Sequence, residues 1–263
     1  MMVFHSDLDH TLIYSYKHEI GRKKRCVEMY QGREISFMTE YSIELLQKIR
    51  QQVIFVPTTT RTIEQYQRID LGGEIPEYAL VCNGGILLVQ GQRDEEWYQE
   101  SRRMIQNCQE DLHRAEEILQ TDPDVDFEVR NIEQLFLFTK SVRPERTICR
   151  LKDQLEFSQV EVFSNGTKVY AVPEKLNKGQ AVRRFRKKVQ ADLVAAAGDS
   201  RFDLPMLTEA DLGLADWELR KEMENIKKER GKKILCLGEE KIFSEDLLEY
   251  LQRIGKREQD EYL

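Results

Sequence analysis

Ser6-Asp7-Leu8-Asp9-His10-Thr11-Leu12 is the stretch on which the fold turns. An apolar run, Met1-Met2-Val3-Phe4, leads into it and reads as a short buried strand. Two carboxylates follow, two residues apart, and then a hydroxyl at Thr11. Alternate residues of a strand share a face, but the chain turns where a strand ends, so Asp7 and Asp9 can converge on one point. Ligands of open α/β sheets bind outside the carboxyl ends of the strands. Two crowded carboxylates repel, and a divalent cation such as Mg²⁺ relieves that cost.

Outward from this stretch, Tyr14 to Met38 is polar and irregular and reads as a flap: Cys26–Tyr30 and Glu34–Phe37 are its strands, with Gln31-Gly32-Arg33 between them. Thr39 has the character of a helix N-cap, with Ile43, Leu46, Ile49 and Val53 at helical spacing behind it. Val53–Val56 is a second buried strand, ending at Pro57 and opening into Thr58-Thr59-Thr60-Arg61. A helix from Thr62 to about Ile69 and a third strand, Tyr78–Cys82, follow. Asn83-Gly84-Gly85 stops that strand, and Ile86–Val89 is extended again. The order predicts a parallel, helix-covered sheet.

The middle of the chain changes character. The pattern predicts one polar helix from Glu95 to about Gln120, broken by Pro123, then strands at Phe127–Val129 and Leu135–Phe138. A helix from Pro144 to about Glu156 comes next, and then strands Val160–Phe163 and Lys168–Val172 joined at Asn165-Gly166. This α-β-β-α-β-β order is an α+β module, placed at 88–172. The parallel pattern then resumes: a helix opened by Lys178-Gly179, a buried strand Leu193–Ala197, Gly198-Asp199-Ser200-Arg201-Phe202-Asp203, strands at 212–215 and 233–237, and a helix from Phe243 to Ile254. The charged residues Gly255 to Leu263 read as a fraying end. The fold class expected is α/β: a Rossmann-like parallel sheet core from 1–87 and 173–263, with an inserted α+β cap domain at 88–172.

Four polar clusters stand at strand ends or a helix start: Asp7 with Asp9, Thr58 to Arg61, Lys178, and Asp199 with Asp203. A carboxylate can attack phosphorus, and a second can protonate the leaving oxygen and later activate water. A hydroxyl, a lysine and Mg²⁺ can hold phosphoryl oxygens as charge builds.

With these residues in view, the chain resembles the haloacid dehalogenase superfamily along nearly its whole length. Asp7-Leu8-Asp9-His10-Thr11 is similar to its DxDxT motif, Thr59-Thr60-Arg61 to its second motif, Lys178-Gly179 to its third and Gly198–Asp203 to its GDxxxD motif. The inserted module resembles a C2-type, type B cap, and Ser-Asp-Leu-Asp-His-Thr is most similar to sucrose-phosphate phosphatases and Cof-type sugar phosphatases. His10 and Thr60 stand where Gly is common in the family, and Phe202 where Asn is frequent. The resemblance implies Asp7 as nucleophile and Asp9 as general acid/base, with the Asp9 backbone carbonyl facing Mg²⁺. It implies Thr59 and Lys178 on the transferring phosphoryl group, Asp199 and Asp203 at the metal, and Thr60, Arg61 and Asn83 near substrate; the choice of Thr59 over Thr58 is one of alignment. The activity implied is Mg²⁺-dependent hydrolysis of a phosphomonoester, a phosphorylated sugar or related small metabolite. The alternatives are a phosphomutase of the phosphomannomutase type and a regulatory module that keeps the fold without catalysis.

Composition bounds the rest. The 263 residues are 40% hydrophobic and carry a formal charge of −7, which argues against general nucleic-acid binding. No apolar run approaches the roughly 20 residues of a membrane span, and the N-terminus lacks a signal-peptide pattern. Five cysteines without CxxC spacing suggest reduced thiols and a cytoplasmic protein. The partner expected is a small phosphorylated metabolite, with no nucleic acid and no membrane, for a monomer or homodimer. Asp122, Asp124, Asp126 and Glu133 have part of a calcium-loop spacing, but Phe127 stands where such a loop needs Gly. Arg22-Lys23-Lys24-Arg25 reads as a solvated hairpin tip, and Trp97 and Tyr98 as packing residues.

Overall fold

The structure, a computed structural model, describes residues 1–154, 159–224 and 233–260. The chain divides into two compact units, Met1–Arg93 with Lys178–Leu263, and Asp94–Asn177.

The first unit opens with β1 (Met2–Ser6). The flap follows as β2 (Tyr14–Ser15), β3 (Lys24–Tyr30) and β4 (Arg33–Thr39), an antiparallel sheet in the order β2-β4-β3. Gln31 and Gly32, both at positive φ (50° and 74°), make the tight turn between β3 and β4. The hairpin tip is therefore Gln31-Gly32, and the basic run lies at the entry to β3, where Arg25 pairs with Asp70 at 2.6 Å. α1 (Glu40–Arg50) starts at Thr39, whose hydroxyl accepts the Ser42 N–H at 3.0 Å, and buries Ile43, Leu46 and Ile49. β5 (Ile54–Pro57) and α2 (Ile63–Gln67) follow, the latter begun by a capping box between Thr62 and Gln65. β6 (Tyr78–Val81), β7 (Ile86–Val89) and β8 (Gln92–Arg93) form a second antiparallel sheet. The expected third parallel strand thus pairs mainly with β7, and it meets the β5 end by a single parallel bridge, Thr58 to Leu80.

In the second unit, the single helix expected over 95–120 is two: α3 (Glu95–Met104) and α4 (Gln109–Thr121), separated at Ile105 by non-helical backbone (φ −111°, ψ 10°) and a short 3₁₀ turn. Ser101, Ile105, Cys108 and Leu112 are all buried, so the apolar stripe runs through the break and its periodicity carries no sign of it. β9 (Arg130–Ile132) and β10 (Phe136–Lys140) follow, so the strand expected at Phe127–Val129 lies a few residues later. β9 is an edge strand with exposed Arg130 and Asn131, and such a strand needs no apolar run. α5 (Pro144–Gln154), β11 (Val160–Asn165) and β12 (Lys168–Pro173) complete the unit, with Gly166 at φ 58° in the last turn. The expected end of that helix near Glu156 lies outside the described residues. Leu112, Ala115, Leu119 and Leu151 of the helices pack with Leu137, Val162, Val169 and Ala171 of the sheet. Trp97 and Tyr98 are buried. Arg150 donates to Asp122 and Arg143 to Asp124, so ion pairs occupy the calcium-like spacing. The units divide at Arg93/Asp94 and Asn177/Lys178, later than the expected 87/88 and 172/173. The pairing of β8 with β7 holds residues up to 93 in the first unit, and a Glu174 N–H bond to the Gln159 carbonyl keeps 174 in the second.

The chain returns to the first unit through α6 (Lys178–Val189), β13 (Leu193–Gly198), α7 (Leu204–Glu209), β14 (Leu212–Asp216), β15 (Lys233–Leu237) and a C-terminal helix, Phe243–Asp260. That helix continues past the expected Ile254, and 261–263 lie outside the described residues. Among the described residues five strands form a parallel sheet in the order β15-β14-β13-β1-β5. Its centre is buried on both faces, as Val3, Phe4, Val56 and Ala195 to Ala197 require. Register aligns Ser6 with both Pro57 and Ala197, so Asp7, Thr58 and Gly198 leave three adjacent strands at one level. Among the described residues no helix is long and apolar enough to cross a membrane.

Candidate active site

Asp7 enters the site at the end of the central strand, its N–H bonded to the Ala197 carbonyl at 2.9 Å. The chain then closes on itself. The Leu8 carbonyl accepts the N–H groups of Thr11, Leu12 and Ile13 at 3.2, 2.9 and 2.8 Å, and His10 takes φ 62°. That left-handed backbone accounts for the usual Gly there, since a His pays a conformational cost that Gly avoids. The turn puts Asp7 and Asp9 on the same side of the sheet end, near enough for Asp9 to add to the charge felt by Asp7.

Lys178, the first residue of α6, is fully buried at 1% exposure. Its Nζ donates to Asp7 Oδ1 and to Asp203 Oδ1, each at 2.6 Å. Asp203 in turn accepts the Ser200 N–H at 3.0 Å and the Ser200 hydroxyl at 2.8 Å on Oδ2. The approach is tight: a Cβ at Gly198 would lie 2.3 Å from the Asp203 Cβ, and one at Gly179 would lie 2.5 Å from the Pro205 carbonyl oxygen. The glycines of the third and fourth motifs are therefore packing requirements that bring Lys178 and Asp203 together.

Asp199 accepts the Thr11 hydroxyl at 2.8 Å. Asp7, Asp199 and Asp203 each offer an oxygen within 4.8 Å of the others. Burial pushes the Asp7 carboxyl up to about 7; Asp203 and Asp9 push the same way and Lys178 opposes. Burial likewise holds Asp199 well above the usual carboxylate range, with Asp7 and Asp203 adding to it. Burial alone would lower Lys178, but Asp203 and Asp7 raise it, so the ammonium stays charged. The cluster thus has more carboxylates than its one buried ammonium balances, and its donors are all oxygen. That set fits a hard divalent cation. Asp203 spends both oxygens on Lys178 and Ser200, so Asp7 and Asp199 have the more available donor atoms.

The second motif splits by direction. Thr58 turns into the core, its hydroxyl bonded to the Val56 carbonyl at 3.1 Å and 3.0 Å from His5 Nδ1. Thr59 is the next residue, and its hydroxyl accepts the Arg61 N–H at 3.1 Å. Thr60 is half-buried. Asn83 is buried at the end of β6, with φ 58° and its N–H on the Thr59 carbonyl at 3.0 Å. Arg61 grips Asp9 with two parallel bonds, Nε to Oδ2 at 2.7 Å and Nη2 to Oδ1 at 2.8 Å. Its third nitrogen, Nη1, lies 2.9 Å from Glu28 Oε1 of the flap. Glu28, Thr11 and Ser200 were not among the expected site residues. A lone acid within the run Cys26-Val27-Glu28-Met29-Tyr30 was the available signal for Glu28.

A family model described as haloacid dehalogenase-like hydrolase matches residues 87–229. The chain belongs to that family. The match includes Lys178, Asp199 and Asp203, and it begins after Asp7 and Asp9, which this haloacid dehalogenase-like hydrolase carries in its N-terminal strand and turn. No curated protein matches it by sequence. Among solved structures it is similar to the sucrose-phosphatase of Synechocystis sp. in complex with sucrose and phosphate, at 16% identity and a TM-score of 0.60, over 96% of this chain and 97% of that one. A haloalkanoate-superfamily phosphatase from Bacteroides thetaiotaomicron gives 14% identity and a TM-score of 0.55, over 97% and 95% of the two chains. A C-terminally truncated IMP-nucleotidase from Plasmodium falciparum gives 12% and 0.59, over 96% and 71%. These likenesses establish the fold.

Proposed function

We propose that this hydrolase is a Mg²⁺-dependent phosphomonoesterase that works through an aspartyl-phosphate on Asp7. The observation that carries the reading is the Asp7–Lys178–Asp203 chain, in which one buried ammonium holds two carboxylates at 2.6 Å at the end of the central strand. Lys178 fixes Asp7 Oδ1, and the other oxygen is left to attack phosphorus. As that P–O bond forms, the bond to the leaving oxygen breaks with its electron pair, and Asp9 gives that oxygen a proton. A water then attacks phosphorus, losing a proton to Asp9, and the bond to Asp7 breaks to release phosphate. Thr59, whose hydroxyl proton is left by its bond from the Arg61 N–H, and Lys178 would hold the phosphoryl oxygens. Asp7, Asp199 and the Asp9 backbone carbonyl would hold Mg²⁺, with Asp203 in support. When bound, the cation supplies positive charge against the phosphoryl oxygens and against the excess of carboxylates.

The likeness to a sucrose-phosphatase and the Ser-Asp-Leu-Asp-His-Thr wording support a phosphorylated sugar or related small metabolite as substrate. The test is phosphate release from a panel of sugar, polyol and nucleotide monophosphates, with and without Mg²⁺, for wild type and Asp7→Asn. Release that needs Mg²⁺ and falls by roughly a thousandfold or more in Asp7→Asn is expected. Isomerised product in place of free phosphate would instead mark a phosphomutase.

A further inference from the structure

The flap contains a charge that the chemistry above does not use. Glu28, in the middle of β3, is buried at 2% exposure, although a carboxylate there is costly unless fully partnered. Its partners are complete. Ser36 of β4 donates to Oε2 at 2.6 Å, Arg68 donates through Nε and Nη2 to Oε1 at 3.2 Å, and Arg61 Nη1 lies 2.9 Å from Oε1. These bonds hold Glu28 below the usual carboxylate range against the burial that would raise it. Arg61 is thereby fixed on both sides. Its fork is on Asp9, its remaining nitrogen is on Glu28, and that same nitrogen reaches the Gln65 carbonyl at 3.4 Å.

A guanidinium is planar, and bidentate pairing fixes the plane and direction of the carboxylate it grips. Asp7 is held by burial, whereas the Asp9 side chain is 46% exposed and stands beside a residue at positive φ, so packing does little to aim it. We propose that Glu28 is a positioning residue for the reaction: through Arg61, the flap sets the direction of the Asp9 carboxyl. Glu28 touches neither substrate nor the reacting atoms. This rests on the reading of Asp9 as the group that hands a proton to the leaving oxygen.

A purely structural Glu28 would tie the flap to the second motif and affect every substrate alike. In the first step, the one that kcat/KM reports, a positioning Glu28 matters only when the leaving oxygen needs its proton delivered; the later attack of water is common to every substrate. p-Nitrophenolate leaves as a stable anion; an alkoxide does not. The experiment therefore compares kcat/KM on p-nitrophenyl phosphate with kcat/KM on the alkyl phosphate that the wild type turns over fastest, in wild type, Glu28→Gln and Glu28→Asp. Expected is a fall in kcat/KM of roughly ten- to a hundredfold on the alkyl phosphate and of under about threefold on p-nitrophenyl phosphate. If Glu28→Gln does not fold, Glu28→Asp carries the test by the same ratio, since it keeps the charge and withdraws the carboxylate from Arg61. An equal fall on both substrates, or no fall on either, overturns the proposal. A wild type inert towards both, or active with Asp7→Asn as fast as wild type, overturns the phosphatase reading itself, and the positioning role with it.

Discussion

The site holds two cations, each gripped by a pair of carboxylates, and the two pairs are built differently. Lys178 lies between Asp7 and Asp203, all buried at the end of the central strand. Arg61 lies between Asp9 and Glu28, with one partner half-open to solvent and the other sealed in the flap. At the first, low polarity and glycine-tight packing fix the geometry. At the second, hydrogen-bond direction does, because a guanidinium fork aims a side chain that packing leaves loose. Where a group must stay put, burial suffices. Where it must exchange protons with a substrate and with water, it has to be accessible and aimed, and this asks for a strut.

The contrast can be broken most severely by removing each cation in turn. Lys178→Met leaves Asp7 and Asp203 buried without their shared charge, and a cost of about 3 kcal/mol or more in denaturant unfolding is expected, with activity lost. Arg61→Met leaves Glu28 with Ser36 and Arg68, and Asp9 is open to solvent, so a smaller cost of about 1 kcal/mol is expected. Equal costs would mean that the two centres are not different in kind.

A second prediction sharpens the account of the buried centre. Burial holds the Asp7 carboxyl at about 7 against an ordinary 3.8, so the folded protein keeps a proton that the unfolded chain has lost between those values. Stability of the metal-free protein therefore declines as pH rises through that window. Lys178 is raised, so its contribution stays complete until far more alkaline pH. A cation bound at Asp7 and Asp199 removes the penalty on their ionised forms, and saturating Mg²⁺ should raise Tm more at about pH 8 than at about pH 5. Calorimetry at both values checks this; equal shifts would show that the carboxylates are not where the ion binds.

The smallest effect concerns neighbours in sequence. Thr58→Val removes a hydroxyl engaged in the core with Val56 and His5, and should cost about 1 kcal/mol of stability while kcat/KM stays near wild type. Thr59→Val takes the acceptor from the Arg61 N–H, so it should cost a similar ~1 kcal/mol and in addition lower kcat/KM by roughly tenfold. The reverse pattern would shift the phosphoryl contact by one residue.

The same two centres show what could be read before the structure. Asp7, Lys178, Asp199 and Asp203 stand in stretches whose spacing marks them as site candidates, and the fold brings their side chains together. The core sheet was legible because its strands are short apolar runs ending in polar turns. Glu28 was not, because its meaning comes from Arg61 and Arg68, more than thirty residues away in sequence, and no local period encodes such a pairing. Local patterns also failed where backbone departs without a change of composition. The helix break at Ile105 keeps the buried stripe in phase, and β9 is a strand of polar residues that only its pairing with β10 reveals. The parallel strand expected at Tyr78 became the first arm of a hairpin, since Cys82 and Asn83 take left-handed backbone and Gly84 follows at φ 84°.

The placement of β1 has a consequence for how the molecule comes into being. β1 lies between β5 and β13, and β13 begins only at Leu193. The middle of the sheet cannot close until synthesis has passed β13. The unit Asp94–Asn177, by contrast, is continuous in sequence and has all its strand partners within reach. Synthesis thus favours an order in which the inserted module matures first, while the founding strand waits beside the flap for a late partner.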